Sequence, residues 1–101
     1  MERILTARRV HVDAAHREAW LQVQAELAGL AREAGRHKWL FRHPVDPQSF
    51  LEFDEGPAGT LSPSSPRERA LAERAAELAD YSQADTSEWL AVPLGTAASG
   101  E

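Results

Sequence analysis

The chain has 101 residues, enough for one domain with one core, and its 43% hydrophobic and 27% charged residues are those of a globular protein. Its formal net charge of −5 argues against nucleic acid, whose phosphates demand clusters of Lys and Arg. It has no Cys, which excludes disulfides, thiolate metal sites and Cys nucleophiles. No apolar run approaches the roughly 20 residues that span a membrane. The first five residues lack the plan of a signal peptide, so a cytoplasmic location is expected. The basic residues are almost all Arg, with Lys38 the only Lys, and Asn is absent.

Arg3 to Val12 reads as a strand. Ile4, Thr6, Arg8, Val10 and Val12 share one face, and Leu5, Ala7, Arg9 and His11 the other. Asp13 is the expected N-cap of a helix over Ala14 to Ala34. His16, Trp20, Val23, Leu27, Leu30, Ala31 and Ala34 form its apolar stripe, and Gly35 fits its stop. His37 to Arg42 alternates again. His43-Pro44-Val45-Asp46-Pro47 makes a turn, and Gln48 to Phe53 is the return strand. Glu55 to Pro63 is rich in Gly, Pro and Ser and reads as a loop.

Ser65-Pro66-Arg67-Glu68 opens a second helix, Pro66 to Asp80. Ser65 is its N-cap, Pro66 sits at N1, and Glu68 completes a capping box. Leu71, Ala75, Leu78 and Ala79 make a buried stripe so thin that this helix must lie close to what it covers. Glu88 to Val92 is the last strand. Residues 1–94 form one domain, and 95–101 are expected to be a flexible tail. The order β-α-β-β-α-β is the ferredoxin-like α+β plan: a four-stranded antiparallel sheet with two helices on one face.

Both faces of the hairpin strands carry large apolar groups. One face is the helix-packed core. The other, left bare, would be an exposed aromatic patch of a kind that soluble monomers rarely tolerate. A homodimer with sheets packed face to face covers it. The alternative is a monomer flanked by the loop Glu55 to Pro63.

The element order, the length, the long first helix, and the stretches Trp39-Leu40-Phe41-Arg42 and Phe50-Leu51-Glu52-Phe53 resemble the dimeric α/β-barrel superfamily. Within it, the chain is similar to the antibiotic-biosynthesis-monooxygenase type, over about residues 2 to 93. The resemblance implies two sheets packed into a barrel, with a cavity between sheet and helices. The activities it implies range over cofactor-independent oxygenases, haem-degrading enzymes, cyclases, isomerases and ligand-binding regulators. The haem-degrading members rely on Asn, Trp and His. This chain has no Asn, and its second helix has neither His nor Trp, which argues against haem degradation and against an Asn-assisted oxygenase site.

The remaining candidates come from the residues themselves. None of His11, His16, His37 and His43 forms a metal-ligand spacing, so no metal is expected. His16 reads as a partly buried packing residue. His37 shares a strand face with Trp39 and Phe41; there it is either an edge residue or, in a cavity, a general base. Arg8 or Arg9 can meet Glu52, because the first and third strands are central neighbours in this plan. That contact is either a structural ion pair or an Arg that orients an anionic ligand, tuned by Glu52. The aromatic residues either pack core and dimer or wall a pocket for a flat aromatic or polyketide-like molecule. A pocket between sheet and first helix would draw on Arg9, His11, His37, Trp39, Glu52 and Trp89, with His37 and Glu52 catalytic and the rest binding ligand. No GxGxxG, P-loop or nucleophile-elbow motif occurs, so no cofactor is expected. Two classes stay open: a cofactor-free enzyme on such a molecule, and a non-catalytic ligand-binding or structural dimer.

Overall fold

A computed structural model describes residues 2–94. Four strands form one sheet: β1 Arg3–His11, β2 His37–Arg42, β3 Ser49–Pro57 and β4 Trp89–Leu90. Their order is β2-β3-β1-β4, with every neighbouring pair antiparallel. Helices α1 Arg17–Glu33 and α2 Pro66–Leu78 cover one face. This is the ferredoxin-like α+β fold, and β1 and β3 are its central pair. The expected tail, 95–101, lies outside the described residues.

Alternation decides what each sheet face carries. Ile4, Val10 and Val12 are buried under the helices, and β3 presents Phe50, Glu52 and Gly56 beside them. Trp20, Leu27, Leu71, Ala75 and Leu78 close the core from above. Trp20 packs on Phe50 with ring centroids 5.0 Å apart. Burying such a side chain contributes roughly 1.5–3 kcal/mol.

Several element ends differ from expectation, each for a local reason. Asp13 does not cap α1 with its side chain. Its carboxylate lies 3.3 Å from His11, and its carbonyl accepts from His16 N–H in a 3₁₀ turn, Ala14–His16. Regular helix therefore starts at Arg17, and His16 is exposed rather than part of the buried stripe. Part of the expected loop, Glu55 to Pro57, belongs to β3, because β1 pairs with it in register as far as Arg3 opposite Pro57. Helix α2 stops at Leu78 because Asp80 leaves it to bridge His11 through two backbone hydrogen bonds of 2.8 and 3.0 Å. The last strand is only Trp89–Leu90, opposite Leu5 and Ile4.

The caps follow the sequence more closely. Gly35 adopts φ 77°, and the N–H groups of Gly35 and Arg36 bond Arg32 and Ala31 carbonyls, which is the Schellman ending of α1. Ser65 Oγ accepts from Glu68 N–H at 3.1 Å. The Glu68 carboxylate reaches one residue further back than a standard box, to Ser64 N–H at 2.8 Å.

Candidate functional site

The thin helix α2 leaves space above the sheet. A cavity of about 470 Å³ lies between the helices and the middle of β1, β2 and β3. Its helical wall is mostly apolar, with Leu27 and Ala31 from α1 and Ala72, Ala75 and Ala76 from α2, and Glu68 at the start of α2. Its sheet wall is charged. Arg8, Lys38, Glu52 and Asp54 all point to the helix side, because β1 and β2 present these positions in register with β3.

Glu52 is the centre of this wall and is 1% exposed. Arg8 Nη2 donates to Glu52 Oε1 at 2.6 Å, and Lys38 Nζ donates to Oε2 at 2.7 Å. Lys38 also reaches Asp54 at 3.0 Å. Burial alone would push the Glu52 carboxyl up. The charges of Lys38 and Arg8 outweigh it and hold the group below its ordinary value, so Glu52 stays ionised.

Tyr81 closes one side of the cavity. Its hydroxyl oxygen accepts from Trp20 Nε1 at 3.3 Å and Gln24 Nε2 at 3.4 Å, and the Arg8 guanidinium lies 4.9 Å from its ring centroid. Burial, reinforced by the Glu52 charge, pushes its phenol up to about 12, so it remains protonated. A second polar station lies where α1 ends. Arg36, 6% exposed, sits beside Glu68 of α2 with Nη2 2.8 Å from Oε2. Burial opposes ionisation of Glu68, but the Ser64 N–H and the Arg36 charge hold its carboxyl below the usual range.

Of the residues expected at the pocket, the structure places Glu52 in it. Arg9, His11, His37, Trp39 and Trp89 lie on the opposite face of the sheet. Arg9 pairs with Leu51 and Trp89 with Leu5, both one position out of phase with the cavity side. Arg8, not Arg9, therefore meets Glu52. His37 Nδ1 lies 2.8 Å from Glu55 Oε1, and its ring stacks on Trp39 at 5.5 Å. Its place beside Trp39 and Phe41 is as expected, but that face is turned away from the helices and from the cavity described above. Trp39, Phe41, Leu51 and Trp89 are 46%, 59%, 40% and 58% exposed there.

Lys38, Asp54, Tyr81, Gln24, Arg36 and Glu68 were not among the expected site residues. Lys38 carried a signal: it is the only Lys and alternates with Leu40 toward the core. Arg36 carried none, because only the Schellman turn brings it over the sheet. Among the described residues no group of three or more His, Asp or Glu side chains is placed to hold a metal ion. No helix among them is long and apolar enough to cross a membrane.

Known structures share this fold. SnoaB from Streptomyces nogalater, a cofactor-independent oxygenase, superposes with TM-score 0.69 at 17% identity over 93% of this chain and 95% of its own. A protein from Chloroflexus aurantiacus assigned as an antibiotic biosynthesis monooxygenase gives 0.67 at 17% identity over 94% and 95%. Rv0793 from Mycobacterium tuberculosis gives 0.65 at 15% identity over 91% and 95%. At these identities the likeness establishes the fold of the antibiotic-biosynthesis-monooxygenase type, and the fold alone. No protein-family model and no curated protein matches the sequence.

Proposed function

We propose that this chain is a small cytoplasmic homodimer that admits a flat aromatic or polyketide-like molecule between sheet and helices. It transforms that molecule without a cofactor, as an oxygenase, cyclase or isomerase. The observation that carries this reading is the convergence of Arg8, Lys38 and Glu52 on one wall of a cavity of about 470 Å³ whose helical wall is mostly Ala and Leu. An apolar slot with a few convergent charged groups is the usual form of a small-molecule site. SnoaB, with the same fold, is described as a cofactor-independent oxygenase.

The roles follow from the charges. A ring lies against Ala72, Ala75 and Ala76, with its enolic or phenolic oxygen toward Arg8 and Lys38. Transfer of a proton from the carbon next to that oxygen to a water molecule in the cavity builds negative charge on the oxygen. Fixed cations in a water-poor site stabilise such charge strongly. Glu52 and Asp54 position these cations, and two cations blunt the basicity of Glu52. That blunting favours the second reading, a non-catalytic ligand binder.

The exposed Trp39, Phe41, Leu51 and Trp89 support the dimer, because a second sheet laid on them would remove their apolar surface from water.

Oxygen uptake with an anthrone as probe tests the enzyme reading. Its CH₂ carbon would take one atom of O₂ as a carbonyl, and the other would leave with the two hydrogens as water. Stimulated uptake in the parent, lost in Lys38→Met, is the expected result. Binding without uptake supports the ligand binder, and neither binding nor uptake defeats both.

A further inference from the structure

We propose that Arg36 anchors a carboxylate on the far end of the bound molecule, so that the cavity selects acidic over neutral aromatic ligands. This rests on the cavity reading above. It adds a second polar contact at a distance from the Arg8–Lys38 wall.

Arg36 holds a buried donor that no acceptor among the described residues uses. A guanidinium carries five N–H groups in a planar fork. That of Arg36 is buried, lines the cavity and has Glu68 as its ionic partner. The 2.8 Å approach of Nη2 to Glu68 Oε2 is not aligned as a hydrogen bond, and Nη2 has no hydrogen-bond partner among the described residues. Glu68 is better supplied, since its Oε1 accepts from both Ser64 N–H and Ser64 Oγ. Glu68 thus offsets the charge of Arg36 while its buried Nη2 is left without an aligned acceptor. Buried donors left open cost free energy until an acceptor arrives. A carboxylate, with two coplanar oxygens, matches the fork better than a single hydroxyl or carbonyl.

Placement gives the anchor its meaning. Arg36 packs over Gly56: a Cβ there would lie 2.7 Å from Arg36 Cγ and 3.3 Å from its Cβ. Only a bare backbone lets the stem cross the sheet at that point. Gly56 is four residues beyond Glu52 on the same face, about 13 Å at roughly 3.3 Å per residue. A fused-ring system with a terminal carboxylate can bridge two such stations. A small monocyclic acid can reach only one.

Isothermal titration calorimetry with anthraquinone-2-carboxylate and its neutral carboxamide tests the anchor. The parent should bind the acid about ten- to a hundredfold more tightly, the range of a charge-assisted hydrogen bond. Arg36→Met should abolish that preference, and Arg36→Lys should keep part of it. If Arg36→Met does not fold with Glu68 left alone, the double variant Arg36→Met with Glu68→Gln removes both charges together. Equal affinity of acid and amide in the parent overturns the anchor and leaves the cavity reading intact. A preference that survives loss of Arg36 also overturns it. Binding of neither ligand overturns both.

Discussion

Arg8 and Glu52 stand directly opposite each other on the two central strands, with Arg8 Nη2 2.6 Å from Glu52 Oε1. Lys38, from the other neighbour of β3, reaches the second oxygen of the same carboxylate. Three strands are thus tied by charge at the one level of the sheet that α2 covers thinly. The helix-facing side of the sheet is apolar towards its ends, at Ile4 and at Val10 and Phe50, and charged in this band between them. A buried ionic cluster is weak evidence for stability, because desolvation offsets the attraction. Its position in a cavity wall gives it a chemical use instead.

Glu52→Gln should destabilise the protein by about 3 kcal/mol, the lower end of the cost of removing one partner from a buried ion pair. Asp54 remains 3.0 Å from Lys38 and moderates the loss. Urea denaturation followed by circular dichroism measures it. A midpoint equal to that of the parent would show that Arg8 and Lys38 find water once the carboxylate is gone.

Ser65→Ala removes the acceptor for Glu68 N–H and should cost about 0.5–2 kcal/mol, as N-cap losses do. The Glu68 side chain keeps its Ser64 contacts, so α2 should still form. Thermal unfolding provides the check: an unchanged transition would mean that Pro66 and Ser64 alone set the start of the helix.

Much of the fold was legible because it is written in local chemistry. Period-two alternation marked β1 and β2. Gly35 marked the end of α1, and Ser65-Pro66 the start of α2. What could not be read was register. Glu55 to Pro57 looks like loop by composition, yet pairing with a nine-residue β1 draws it into the ladder. The same gap limited the site. Arg8 and Arg9, or His37 and Lys38, differ by one position, and one position chooses between cavity and open face. Only the pairing with β3 decides which residue meets Glu52. Asp13 failed as a cap for a related reason: a nearby side chain, His11, competes for its carboxylate.

Acid should weaken the fold through Glu55. Arg3 donates to this carboxylate at 2.6 and 3.0 Å, and His37 lies 2.8 Å from it. The Arg3 hydrogen bonds, aided by His37, lower its pKa from 4.5 to about 2. A depressed folded value means that the stabilisation is fully present above the unfolded pKa and is lost as pH falls through the folded one. Stability should therefore drop between about pH 5 and pH 2. Glu52 and Glu68 are shifted in the same direction and add to the drop. Urea midpoints at pH 6 and pH 3 should differ less in Glu55→Gln than in the parent. An equal difference in both would assign the acid limb to the other carboxylates held below their ordinary values, Glu52, Glu68, Asp80 and Asp85.

The open sheet face gives the last prediction. Trp39 and Phe41 on β2, Leu51 on β3 and Trp89 on β4 all point away from the helices and are at least 40% exposed. Phe41 meets Phe53 edge to face at 5.5 Å, so the patch is ordered by its own contacts as well as apolar. Two such faces brought together would bury aromatic rings from both chains around a two-fold axis. Light scattering at micromolar concentration should give about twice the 11.1 kDa chain mass. Phe41→Glu places a charge within that contact and should yield monomers that remain folded by circular dichroism. The cavity lies on the other side of the sheet, so the monomer should still bind the aromatic acid. An 11.1 kDa parent at every concentration would defeat the dimer. A Phe41→Glu chain that stays dimeric would move the contact to another surface.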